Sequence, residues 1–273
     1  MTAIAIRSPA VAGRFYPIDP ATLKEEVRTL LSQGRSSKQI CALGCIVPHA
    51  GYVYSGYVAG AVFAKLEIPE LCIILCPNHT GMGRPLAIMS EGIWETPLGS
   101  VSIDENFAAN LKQRLPALEE DSAAHRAEHA IEVELPFLQT LRPGIKFVPI
   151  ALGTRHFETL HQLGIALADA IAAYHGPALI VASSDMNHYE SDEITRVKDQ
   201  SAIEQMLALN PRGLYETAAL QHISMCGLGP AVTMLTATKH LGASSAELVK
   251  YATSGDISGD RNMVVGYAGV TIS

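Results

Sequence analysis

Two histidines and a cysteine in this sequence stand where a metal ion could be held. His49 follows the apolar run 41–47, and His79 follows the apolar run 71–77. Cys226 stands in a glycine-rich loop just before a predicted helix, whose positive N-terminal end would favour a thiolate. Imidazole and thiolate groups are ligands of zinc, copper and iron. We therefore predict one mononuclear metal site built from His49, His79 and Cys226.

The loops that carry these histidines share a plan. In Pro48-His49-Ala50-Gly51 and Pro77-Asn78-His79-Thr80-Gly81, proline stiffens the exit from the apolar run and glycine permits a sharp turn. A third apolar run, 178–184, is followed by Asp185 and His188. Ligands of open α/β sheets bind beyond the carboxyl ends of the strands. Each of these polar residues alone is an ordinary loop residue, but together they favour a shared site.

The elements that must position these residues alternate between continuous apolar strands and helical patterns. This alternation is typical of an α/β fold with a largely parallel central sheet and helices on both faces. We predict a single domain over residues 1–273, with an extended excursion and a hairpin at 84–103 and two antiparallel strands at the end. The predicted strands are 41–47, 71–77, 145–151, 178–184, 247–253 and 263–272, and the predicted helices include Pro20–Leu31 with Asp19 as N-cap, 56–66, 156–174 and 228–241.

Composition narrows the class of protein. Hydrophobic residues make up 48% and charged residues 17%, which is typical of a globular core. The net charge of −7 and the absence of a Lys/Arg run argue against nucleic-acid binding. The sequence has no apolar run of transmembrane length and no signal-peptide pattern at its start, so we expect no membrane association and a cytoplasmic protein. Five cysteines are an odd number, and we expect reduced core residues at Cys41, Cys45, Cys72 and Cys76.

Two competing interpretations use some of the same residues. His125-Arg126-Ala127-Glu128-His129 matches the H-x-x-E-H pattern of inverted zinc peptidases. Residues 121–124, which precede this motif, are not typical of a buried helix, and Pro136 would interrupt a helix soon after it. We therefore expect His125 to point away from the metal. In the other interpretation Cys226 is a nucleophile served by His188 and Asp185. That reading leaves His49 and His79 without a role.

A series of motifs along nearly the whole chain resembles the Memo family, which in bacteria and archaea is often named AmmeMemoRadiSam system protein B. The resemblance implies a fold similar to the class III extradiol dioxygenases, non-haem iron enzymes that open catechol rings. The motifs that carry it are Ala12-Gly13-Arg14-Phe15-Tyr16-Pro17, Pro48-His49-Ala50-Gly51-Tyr52-Val53-Tyr54-Ser55-Gly56, Pro77-Asn78-His79, Glu128-His129-Ala130-Ile131-Glu132-Val133-Glu134-Leu135-Pro136-Phe137, Ser183-Ser184-Asp185-Met186-Asn187-His188-Tyr189 and Met225-Cys226-Gly227.

The resemblance also implies roles for individual residues. His49 and His79 match the two metal-binding histidines of the dioxygenases, and Cys226 stands where their carboxylate ligand would be. His188 matches the acid/base histidine, and Asp185 belongs to the same motif. The resemblance implies iron(II) as the metal. Because thiolate is softer than carboxylate, copper and zinc are alternatives. Tyr52, Tyr54 and His129 are further candidates for the substrate pocket, and Glu128 and Glu132 for groups behind the ligands.

These expectations define two candidate functions. In the first, the protein is a non-haem iron oxidoreductase with a dioxygenase-like site, a small-molecule substrate for which aromatic compounds are candidates, and His188 as proton carrier. In the second, it is a metal- or ligand-binding module without turnover that responds to redox state and contacts other proteins, with the AmmeMemoRadiSam system as the source of candidate partners. Consumption of O₂ during turnover separates the two.

Overall fold

A computed structural model describes residues 4–34 and 38–273 of the chain. The strands in these ranges belong to one twelve-stranded sheet. They are β1 (Ile6–Arg7), β2 (Gly44–Val47), β3 (Leu71–Pro77), β4 (Leu86–Ile88), β5 (Ile93–Thr96), β6 (Gly99–Ile103), β7 (Glu119–Glu120), β8 (Lys146–Leu152), β9 (Ala178–Ser183), β10 (His188–Glu190), β11 (Ala246–Thr253) and β12 (Val264–Ile272).

Helices alternate with the strands of the central sheet, as the sequence predicts, although the three helices in 192–240 follow one another without a strand between them. A π-helical turn at Tyr52–Gly56 leads into the second helix, and a 3₁₀ turn at Glu132–Glu134 leads into the fifth. The helices are α1 (Pro20–Gly34), α2 (Tyr57–Lys65), α3 (Glu105–Arg114), α4 (Ala123–Arg126), α5 (Leu135–Leu141), α6 (Phe157–Ala172), α7 (Asp192–Leu207), α8 (Pro211–Leu220), α9 (Leu228–His240) and α10 (Gly255–Ser258).

The centre of the sheet is parallel, as predicted. Its strands run in the order β8, β3, β9, β2, and each neighbouring pair is parallel. Strand β12 pairs antiparallel with β2, and β11 pairs antiparallel with β12, so the predicted antiparallel strands are confirmed. The predicted hairpin is formed by β5 and β6. The central strands are buried along almost their whole length, which explains their continuous apolar sequences.

Helix α1 shows how the local sequence sets an element. Asp19 Oδ1 accepts a hydrogen bond from the backbone N–H of Thr22 at 2.9 Å, and Pro20 occupies the first helical position, where its missing N–H costs nothing. Leu23, Val27, Leu30 and Leu31 recur at helical spacing and form the buried face of the helix. The start predicted from Asp19 and Pro20 is therefore confirmed.

Two expectations about local structure are wrong. Cys41 is exposed and precedes β2, and its thiol lies 3.2 Å from Glu67, whereas Cys45, Cys72 and Cys76 are buried as expected. The apolar run 41–47 is longer than the strand because the chain enters the sheet only at Gly44. Helices α3 and α8 are not among the elements that the sequence predicts. Among the described residues, no helix is both long and apolar enough to cross a bilayer.

Candidate metal centre

Three adjacent parallel strands bring polar residues to one edge of the sheet. His79 follows β3, Asp185 follows β9 and His49 follows β2, and β9 lies between the other two strands. Because parallel strands end at the same edge, these residues converge beyond their carboxyl ends. Cys226 reaches the same place from the loop before α9, with its Sγ 3.2 Å from His49 Nε2.

Three imidazoles are gathered at this edge. His49, His79 and His129 each offer a ring nitrogen, and these nitrogens all lie within 4.8 Å of one another. The ring of His129 stacks on that of His79 with centroids 4.7 Å apart, and His49 meets both rings edge-on. Burial, followed by the charges of His129 and His79, holds the pKa of His49 well below its ordinary value. Neutral imidazoles whose protonation is suppressed have lone pairs available for a cation.

His79 is fixed from behind by a buried carboxylate. Glu128 Oε2 accepts the backbone N–H of His79 at 2.6 Å, and Glu128 Oε1 lies 2.9 Å from His79 Nδ1. The backbone N–H groups of His129 and Ala130 also donate to Oε1. Burial raises the pKa of Glu128, but His79 outweighs burial and holds the pKa below its ordinary value. A carboxylate behind a histidine sets the ring's orientation and leaves Nε2 as the metal-facing nitrogen.

His49 has a different support. Its backbone N–H donates to Asp185 Oδ1 at 2.8 Å, and its ring Nδ1 lies 2.9 Å from the hydroxyl of Ser183. The ring of His49 is buried and its Nε2 faces the thiol of Cys226. In both His49 and His79, Nδ1 therefore contacts a supporting side chain, and Nε2 is left to face the space between the rings.

Cys226 is placed by a close approach of two backbones. A Cβ atom on Gly227 would lie 2.3 Å from the Cβ of Ser184, so only glycine lets this loop reach the end of β9. The N–H of Gly227 donates to Ser184 Oγ at 3.0 Å. The position of Cys226 before α9 predicts a thiolate. In the metal-free protein the thiol form is favoured instead, because burial raises the pKa of Cys226 above its ordinary value.

The arrangement fits a transition metal in its donor chemistry. Metal ligands at about 2.1 Å (nitrogen) and about 2.3 Å (sulfur) lie roughly 3 to 4 Å from each other, which is compatible with the 3.2 Å between Cys226 Sγ and His49 Nε2. The described group with all donor atoms within 4.8 Å contains His129 and not Cys226. The predicted ligand His79 and the predicted pocket residue His129 are thus neighbours in one cluster.

His188 and Asp185 lie beside this cluster. His188 Nδ1 lies 2.8 Å from the carbonyl oxygen of Ser224, so Nδ1 carries the proton and Nε2 is the basic nitrogen. Burial lowers the pKa of His188 more than the Ser224 carbonyl raises it. Burial raises the pKa of Asp185 to about 7, although the backbone N–H groups of His49 and Ala50 oppose this. Asp185 can therefore change protonation state near neutral pH, whereas the lowered pKa of His188 favours its neutral ring.

The predicted pocket residues occupy different depths. Tyr52 is buried, and its hydroxyl donates to the carbonyl of Val133 at 2.7 Å, so this side chain supports the wall rather than facing the cluster. Tyr54 is 41% exposed and lines a surface cavity with Phe15. The ring of Phe15 lies 4.7 Å from that of His129. Phe15 thus connects this cavity to the histidine cluster.

The H-x-x-E-H segment does not form a peptidase site. Helix α4 ends at Arg126, so His125 and His129 do not share a helical face. His125 is buried edge-on against Trp94, with ring centroids 5.7 Å apart, and it is outside the described group that could hold a metal. Burial lowers the pKa of His125 to about 4. His125 is therefore a neutral core residue.

Two supporting residues were not singled out by the sequence analysis. Ser183 is the last residue of the apolar strand β9, and Glu134 is the last residue of the 3₁₀ turn Glu132–Glu134. Both are fully buried, and Glu134 Oε1 lies 3.1 Å from Ser183 Oγ. A polar residue at the end of a buried strand was the available signal for Ser183. Glu132, predicted near the site, instead accepts hydrogen bonds from Arg7 and Tyr16, and these bonds hold the N-terminal segment against the domain.

The comparisons of the sequence with known proteins agree on one family. A family profile described as "Memo-like protein" matches residues 7–271. A MEMO1 family protein of Methanopyrus kandleri is 42% identical over 276 residues, covering 97% of this chain and 98% of that protein. One of Methanosarcina barkeri is 40% identical over 268 residues, covering 98% and 100%. The crystal structure of an uncharacterized protein from Escherichia coli K12 shares the fold, with a TM-score of 0.52, 12% identity, and coverage of 82% of this chain and 98% of that chain.

Proposed function

The chain belongs to the Memo-like protein family, and from that premise we propose that it is a metal-dependent oxidoreductase with a dioxygenase-like site. The observation that carries the proposal is the convergence of three imidazoles, with Cys226 beside His49, beyond the ends of parallel strands. Nitrogen and sulfur donors together suit a redox-active ion such as iron or copper better than a hard cation such as magnesium.

We assign His49, His79 and Cys226 as the ligands and His129 as the neighbouring wall. Glu128 supports His79 and the Ser183 hydroxyl supports His49, so each ring presents Nε2 to the same space. The half-buried thiol of Cys226 must lose its proton to become a ligand, and an adjacent cation would make that loss favourable. Iron(II) is the metal proposed; when bound it would supply electrons for chemistry with dioxygen.

His188 is proposed to move a proton at the substrate. Its Nδ1–H is held by the carbonyl of Ser224, so Nε2 can accept a proton from an acidic hydroxyl group. Because its pKa lies below the ordinary value of histidine, the ring is neutral and ready to accept at neutral pH. Asp185, with a pKa of about 7, is a second group that can exchange a proton there.

The substrate class follows from the surface next to the cluster. Phe15 packs on His129 of the cluster and lines a surface cavity together with the partly exposed Tyr54. Aromatic rings prefer offset stacking or edge contacts with other rings. We propose a small aromatic substrate with an ionisable hydroxyl group, such as a phenol or catechol.

The test combines metal analysis with O₂ uptake. Protein purified without air should contain about one equivalent of metal, and His49→Ala should lose it. The control variant His175→Ala, which changes an exposed histidine, should keep the metal. His188→Ala should keep the metal and lose about 10²–10⁴-fold in O₂-uptake rate with catechols or phenols. A His188→Ala protein without metal would make His188 a ligand. Metal without any O₂ uptake in the unsubstituted protein would leave a metal-binding module.

A further inference from the structure

The hydroxyl of Ser183 has more neighbours than it has hydrogens. Its Oγ lies 2.6 Å from the carbonyl oxygen of Ala130, 2.9 Å from His49 Nδ1 and 3.1 Å from Glu134 Oε1. A carbonyl oxygen can only accept, so the single hydroxyl hydrogen of Ser183 is directed to Ala130. The two lone pairs of Ser183 Oγ must then receive hydrogens from His49 and from Glu134.

From this inventory of hydrogens we infer that Glu134 is a neutral carboxylic acid which donates to Ser183 and thereby holds His49 with its proton on Nδ1 and its free nitrogen, Nε2, toward the metal centre. Among the described residues no hydrogen bond joins Glu134 to His49, and Ser183 connects the two. It is a positioning residue for the ligand. The inference rests on the proposed function only in treating His49 as a ligand.

The surroundings of Glu134 agree with a neutral state. Its side chain is fully buried, and Oε2 has no hydrogen-bond partner among the described residues. An ionised carboxylate with an unpartnered oxygen in such a place costs several kcal/mol, whereas the carbonyl oxygen of a neutral acid costs much less. Burial raises the pKa of Glu134 well above its ordinary value and outweighs the contact with Ser183, which lowers it; the charge of Asp185 acts in the same direction as burial.

Glu128 provides the contrast that makes the inference testable. Glu128 is surrounded by N–H donors from His79, His129 and Ala130, so it must be an acceptor and is ionised. Glu134 meets a hydroxyl whose hydrogen is already used, so it must be a donor. A glutamine side chain can donate an N–H but cannot replace an anion. The same substitution, glutamate to glutamine, should therefore have opposite results at the two positions.

The first experiment uses the metal-free protein. Difference infrared spectroscopy of unsubstituted protein against Glu134→Gln should show the C=O stretch of a protonated carboxyl group that is lost in the variant. ¹⁵N NMR should place the proton of His49 on Nδ1 in the unsubstituted protein and in Glu134→Gln. A carboxylate signal at Glu134, or a proton on His49 Nε2, would overturn the inference. Neither reading depends on whether the protein binds a metal or turns over a substrate.

The second experiment measures binding of Co²⁺ and Zn²⁺ by titration. Glu134→Leu removes the donor and should weaken binding about 10–100-fold, as loss of a group behind a ligand typically does. Glu134→Gln restores a donor and should bind within about threefold of the unsubstituted protein, whereas Glu128→Gln should bind more weakly by about tenfold or more. Equal losses in Glu134→Gln and Glu134→Leu would show that Glu134 acts as an anion and would refute the inference. Failure of the unsubstituted protein to bind either ion would instead count against the proposed function.

Discussion

The carboxylate of Glu128 offers a sharp test of how the metal centre is held. It accepts the backbone N–H groups of His79, His129 and Ala130 at 2.6, 2.9 and 3.0 Å, and it faces the ring Nδ1 of His79 at 2.9 Å. In Glu128→Gln the shape is kept, but one oxygen becomes an NH₂ group. That group is least disruptive at the Oε2 position, where it opposes the backbone N–H of His79.

The magnitude follows from the hydrogen bonds that change. One N–H loses its acceptor, and a hydrogen bond to a charged group contributes about 1.5–3 kcal/mol to stability. The other three hydrogen bonds become weaker, because bonds to a charged acceptor are roughly twice as strong as neutral ones. We expect the free energy of unfolding to fall by about 4 kcal/mol. For a chain of this size, that corresponds to a decrease in Tm of roughly 10 °C. The fully buried position of Glu128 means that solvent screening does not reduce the effect.

Urea unfolding of the metal-free protein at pH 7 measures this loss, and titration with Zn²⁺ measures the accompanying fall in affinity. Glu91→Gln, which makes the same chemical change at an exposed position, should match the unsubstituted protein in both assays. The reasoning would be refuted by a Glu128→Gln protein that unfolds at the same urea concentration as the unsubstituted protein. A stable variant with weakened Zn²⁺ binding would keep the role of Glu128 behind His79 but reject the estimate of its contribution to folding.

Two further predictions concern groups away from the ligands. Burial raises the pKa of Asp199 to about 7, so between about pH 4 and 7 the folded state keeps a proton that the unfolded chain has lost, and stability falls as pH rises. When urea unfolding is compared at pH 5 and pH 8, Asp199→Asn should show a smaller fall in stability by on the order of 1 kcal/mol per pH unit, the share due to this group, and an equal fall in both proteins would contradict the prediction. His125→Ala should lower the free energy of unfolding by about 3 kcal/mol through the cavity it leaves, while metal content measured by atomic emission stays unchanged; loss of the metal would restore the peptidase interpretation.

Much of the fold could be predicted because its signals are local. Continuous apolar runs mark strands such as Leu71–Pro77, and the pair Asp19 and Pro20 marks the start of α1. The order of strands depends on contacts between distant segments, and no local pattern shows that β9 lies between β3 and β2. Cys41 illustrates the limit at shorter range, because an apolar composition does not tell where the chain enters the sheet.

The placement of the candidate site could be predicted for the same reason, whereas its electrostatics could not. The rule that parallel strands end at one edge brings His49, His79 and Asp185 together without knowledge of strand order. At Cys226, the sequence reveals only the local dipole of the helix N-terminus. In the folded protein, burial by residues distant in sequence outweighs that dipole for the free thiol.

Glu128 and Glu134 show what depends on the folded environment alone. The same residue type occurs twice within one short segment, yet N–H donors surround Glu128 and a hydroxyl with no spare hydrogen faces Glu134. The difference between an ionised Glu128 and a neutral Glu134 therefore follows from the hydrogens that the folded chain presents to each carboxyl group, and the residue type alone does not reveal it.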